Sequence, residues 1–72
     1  MEYNLEEIKE KEYNVGVIKH KYYKVLKYDG NEEKLEDYVQ QLNEKSMFNI
    51  DYYIQKVEGN EAIIEKVIDT LD

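Results

Sequence analysis

The stretch KVEGNEAIIEKVIDTL (56–71) carries the densest apolar pattern in the chain, and KYDGNEEKLEDYVQQL (27–42) reads as a near copy of it 29 residues earlier. In 60–71 the residues Ile63, Ile64, Val67, Ile68 and Leu71 fall at i, i+1, i+4, i+5 and i+8, the spacing of one broad helical face. Asn60 stands where an N-cap belongs, and Glu61 where a helix dipole favours an acid. In the earlier copy Asn31 caps, Glu32 and Glu33 follow, and Leu35, Tyr38, Val39 and Leu42 form a narrower stripe. Lys27/Lys56, Gly30/Gly59, Asn31/Asn60, Glu32/Glu61, Glu36/Glu65 and Leu42/Leu71 are identical between the copies. Each copy therefore reads as a strand end, a Gly-Asn turn with positive φ at the glycine, and an amphipathic helix. Shared capping chemistry and a true internal duplication predict the same local structure. The crossover between the two units is expected to join parallel strands.

Working outward, the period changes from 3.6 to 2. MFNIDYYIQKV (47–57) places Phe48, Ile50, Tyr52 and Ile54 on one face of a strand, with Tyr53 on the other. YNVGVIKHKYYKVLKY (13–28) is also strand-like but too long for one strand of a small domain, so a hairpin with strands near 13–19 and 22–28 is expected, turning at Lys19-His20-Lys21. Asn4 followed by Glu7 suggests a capping box and a short N-terminal helix. The expected fold is a single α+β domain over 1–72. It has a sheet of two or three strands, two amphipathic helices on one face, near 32–43 and 60–71, and the short N-terminal helix.

The 72 residues include no Cys, so disulfides and thiolate metal sites are excluded. The start is acidic and polar, unlike a secretory signal, and no apolar run approaches a membrane span, so a cytoplasmic protein is expected. Net charge is −7, unevenly spread: KHKYYKVLKY (19–28) holds four Lys and no acid, and the remaining six Lys and seventeen acids leave −11. DGNEE at 29–33 is not a calcium loop, because loop positions six and twelve would be Lys34 and Gln40 instead of Gly and Glu. Glu32, Glu33 and Glu61 oppose phosphate at the helix starts, and no Walker lysine or GxGxxG is present. His20 is the only histidine, and Ser46 and Thr70 lie in no nucleophile motif. These observations predict a non-enzymatic protein without cofactor or metal.

Face counting gives a candidate interface. With Tyr23 and Val25 inside, Tyr22, Leu26, Tyr28, Tyr53 and Val57 form an aromatic patch on the second sheet face. The Lys/Tyr interleaving of 19–28 gives an alternative, a single-strand nucleic-acid platform of Lys19, Lys21, Tyr22, Tyr23, Lys24 and Lys27. Edge-strand lysines that discourage aggregation account for the same pattern without any ligand. In composition the whole chain resembles the small, acidic, Lys-, Ile- and Asn-rich proteins encoded by phages and prophages of low-GC Gram-positive bacteria. That resemblance implies a modulator that binds a host or phage protein, including an acidic mimic of DNA that inhibits a nucleic-acid enzyme. The leading expectation is a protein-binding or self-associating domain, a homodimer, with no membrane partner.

Overall fold

The computed structural model describes residues 3–70. Its elements are β1 (Asn4–Glu7), a single 3-10 turn (Lys9–Lys11), β2 (Tyr13–Val15), β3 (Ile18–Leu26), α1 (Glu32–Lys45), β4 (Ile50–Glu58) and β5 (Glu61–Asp69). The strands form one antiparallel sheet in the order β1-β3-β5-β4, and β2 continues the edge beside β1 by pairing with the start of β3. One helix covers one face, where Val25, Tyr28, Leu35, Tyr38, Val39, Ala62 and Ile64 make the core.

This corrects the expected fold class: five strands and one helix replace two or three strands and two long helices. The second GNE copy is a hairpin turn, not a helix start. Glu58 pairs with Glu61 across Gly59-Asn60, and 61–69 runs on as β5, between β3 and β4. Its apolar spacing fits a helix, but Ile63, Ile64, Val67 and Ile68 are all β-branched, and such residues lose rotamer freedom in a helix and pack well on a pleated sheet. A central strand is also apolar on both faces, so adjacent Ile63 and Ile64 are both buried. Leu71 lies outside the described residues. Gly30 and Gly59 do carry the expected positive φ, +82° and +63°.

The first copy does become a helix. Asn31 accepts a hydrogen bond from the Lys34 N–H at 3.1 Å, Glu32 and Glu33 occupy the first turn, and Lys45 the last. Its stripe, the narrower of the two in sequence, is the core's roof: Leu35 is fully buried. α1 connects β3 to β4, which are parallel to each other but separated by β5, so the expected parallel crossover exists with a strand inserted.

Three further corrections concern the N-terminal half and β4. Residues 4–7 form β1, not a helix, because Leu5 pairs opposite buried Val25. The hairpin turns at Gly16-Val17, where Gly16 has φ +61°, and β3 runs straight through Lys19-His20-Lys21. In β4 the register slips one residue between Ile54 and Lys56, leaving Gln55 as a bulge. That bulge turns Val57 onto the core side and Lys56 away from it. β4 is an edge, and α1 protects it: the Asn43 side chain accepts from the Tyr52 N–H at 2.7 Å and donates to the Tyr52 carbonyl at 3.0 Å.

Candidate interaction surface

The register assigns every strand residue to a face. Tyr23, Val25, Ile64, Ala62, Tyr52, Ile54 and Val57 lie beneath or beside α1. Among the described residues no helix lies on the opposite face. Three rows cross it from β3 through β5 to β4: His20–Val67–Asp51, then Tyr22–Glu65–Tyr53, then Lys24–Ile63–Lys56. β2 adds Tyr13 opposite His20 and Val15 opposite Ile18.

The middle of this face is an ordered polar and aromatic cluster. His20 Nδ1 lies 2.6 Å from Glu65 Oε2, and the Tyr22 hydroxyl donates to the same oxygen at 3.4 Å. Tyr13 stacks on His20 with centroids 4.4 Å apart and planes 4° from parallel, and it lies 6.2 Å from Tyr22. Burial, then Tyr13 and the Glu65 carboxylate, push the Tyr22 hydroxyl well above the ordinary tyrosine range, so it stays a donor. Around the cluster the apolar groups are exposed: Tyr13, Val15, Val17, Leu26 and Tyr53, the last 53% exposed. Ile63, in register between Lys24 and Lys56, is buried on this face.

Of the five interface residues expected from sequence, the structure brings Tyr22, Leu26 and Tyr53 together on this face. Two are misplaced. Tyr28 follows the end of β3 and is buried in the core against Tyr3, and Val57 is turned inward by the bulge. Tyr13, Val15, His20, Glu65 and Val67 were missed. For Tyr13, Val15 and His20 the signal is Gly16: a hairpin turn at Gly16-Val17 puts Tyr13 opposite His20 by counting alone, whereas Glu65 and Val67 reach this face only because 61–69 is a strand. Phe48, expected on one strand face with Ile50, Tyr52 and Ile54, is instead 91% exposed in the turn before β4.

The six residues of the nucleic-acid alternative do not share a surface. Tyr22 and Lys24 lie on the helix-free face, while Lys19, Lys21 and Tyr23 lie on the other. Lys27 sits in the loop after β3 at φ +55°. Lys19 is met by Glu12, just before β2, at 3.9 Å and Lys21 by Glu7 of β1 at 3.6 Å. Tyr23 and Glu7 beside Lys21 hold its ammonium above the usual lysine range. β3 is an interior strand, so these lysines do not guard an edge. His20, the only histidine, is half-buried, with its Nδ1 2.6 Å from Glu65 Oε2.

Among the described residues there is no group of three or more His, Cys, Asp or Glu side chains placed to hold a metal, and no helix is long and apolar enough to cross a membrane. No protein-family model, curated protein or solved structure matches this chain.

Proposed function

We propose that this chain is a non-enzymatic binding domain that docks another protein surface on the helix-free face of its sheet. One observation carries the reading: Tyr13, Val15, Leu26 and Tyr53 stand exposed together on that face, with Val17 at its rim, around an ordered His20–Glu65–Tyr22 cluster. Exposed aromatic and aliphatic groups gathered on one face are the groups enriched at protein interfaces. The lysines of 19–28 support this reading over nucleic-acid binding, since they divide between two faces and two of them already meet carboxylates.

Light scattering and binding titrations on point variants test it. Tyr53→Ala and Leu26→Asp are expected to abolish association, which should depend little on salt because the contact is mainly apolar. Lys19→Glu with Lys21→Glu, on the opposite face, is expected to have a mild effect. The opposite ranking, with steep salt dependence, sinks the proposal and favours a phosphate backbone as ligand.

A further inference from the structure

We infer that the occupant of the helix-free face is a second copy of this chain, packed sheet against sheet about a two-fold axis running along the Tyr22–Glu65–Tyr53 row. The inference rests on the docking reading above and adds the partner and the register. A two-fold interface must be complementary to itself, with each patch meeting its counterpart in reverse. The rows flanking the axis meet that condition at their β4 ends, where an acid falls on a lysine. Rotation lays His20–Val67–Asp51 of one copy over Lys24–Ile63–Lys56 of the other. Asp51 then meets the second copy's Lys56, Val67 lies over the row that holds its buried Ile63, and His20 lies over its Lys24. The same pairs recur on the other side of the axis.

The ends of the face complement each other too. Phe48, 91% exposed, projects beside a cleft at the Asp51 end that Ile18, Val67 and Asp69 also line. At the opposite end, exposed Leu26 borders a cleft of about 320 Å³ that also includes Lys24, Tyr28 and Asn60. The two-fold carries each Phe48 to the other copy's Leu26 end, so both exposed apolar ends are covered at once. On the axis the two Glu65 carboxylates approach each other, but each is already held by its own His20 at 2.6 Å and by Tyr22, which lowers the cost of removing it from water.

Size supports the same conclusion. The molecule measures 36 × 27 × 15 Å, a slab one helix and one sheet thick. Its broad face is on the order of the roughly 800 Å² that each partner contributes to a standard interface. Small domains with a limited core commonly gain stability by associating, and this one has no disulfide to serve instead.

Sedimentation equilibrium on charge-reversal variants tests the register, with circular dichroism confirming that each variant is folded. Lys56 pairs with Glu58 and Glu61 at the exposed surface, where such pairs contribute little, so reversing it is expected to cost little stability, which the circular dichroism checks. Asp51→Lys and Lys56→Asp are each expected to weaken dimerisation about tenfold. The double reversal in one chain is expected to restore it, because the swapped charges meet again across the axis. Phe48→Ala is expected to weaken the dimer without changing the fold. If Tyr53→Ala and Leu26→Asp break the dimer but the double reversal fails to restore it, the two-fold register is overturned and the docking face stands. If none of these changes affects the dimer, both fall. A wild-type chain that stays monomeric at high concentration overturns the second copy as occupant.

Discussion

Gly59 shows how one residue type serves two structures. Gly30 and Gly59 begin the same GNE string and share positive φ, yet Gly30 precedes a helix cap and Gly59 opens a hairpin turn. The two turns also touch: a Cβ on Gly30 would lie 3.8 Å from the Gly59 carbonyl oxygen, an ordinary contact. Nothing lies within 4 Å of a Cβ at Gly59, so a side chain there has room and only the backbone conformation opposes it. Gly59→Ala is therefore expected to destabilise by about 1–2 kcal/mol, and Gly59→Asn by less, since Asn tolerates the left-handed region. Urea denaturation of both variants checks this; equal losses would mean that packing, not φ, sets the cost. The shared φ was legible from the string. What followed each glycine was not, because a cap and a two-residue turn place the same demand on that position.

β5 and α1 are the two elements on which the core depends. Ile64 on β5 and Leu35 on α1 are both fully buried and belong to one cluster. Truncating either leaves a cavity, so Ile64→Ala and Leu35→Ala are each expected to cost about 2–5 kcal/mol in chemical denaturation. Two fully buried sites in one core predict similar losses. A loss at Leu35 below about 1 kcal/mol would place the helix outside the cooperative core. Within these elements the sequence was readable in part. Asn31, the acids after it and the Leu35–Tyr38–Val39–Leu42 stripe located α1 correctly. The alternation in β3 put Tyr22 and Leu26 on one face and Tyr23 and Val25 on the other, as the register has them. Val57 was unreadable, because the bulge at Gln55 inverts the alternation and nothing in QKVE announces it.

The molecule is held together by a link between its start and its middle. Asp29 accepts from the Tyr3 hydroxyl at 2.9 Å and the Asn31 N–H at 3.1 Å, and pairs with Lys34 at 2.9 Å. The same site stacks Tyr3 edge-on against Tyr38 and places Lys34 over the Tyr3 ring. Lys34 above all, then the Asn31 amide and Tyr3, hold the Asp29 carboxyl down to about 2 from the ordinary 3.8. A depressed carboxyl stabilises the fold above its unfolded pKa, and the contribution is lost as pH falls through the folded one. Thermal melts should therefore lose part of their stability between about pH 4 and pH 2, and Asp29→Asn should flatten that limb. A variant with an unchanged acid limb would show that the link does not matter to folding. Composition and local pattern settled the absence of disulfides, the acidic balance, the place of α1 and the two-faced character of β3. They left 61–69 open between helix and strand, because its spacing serves both. The tertiary structure decided it: the gap between β3 and β4 offers unpaired backbone donors and acceptors on both sides, and only an extended chain rich in β-branched residues can satisfy both edges while burying Ile63 and Ile64 on opposite faces.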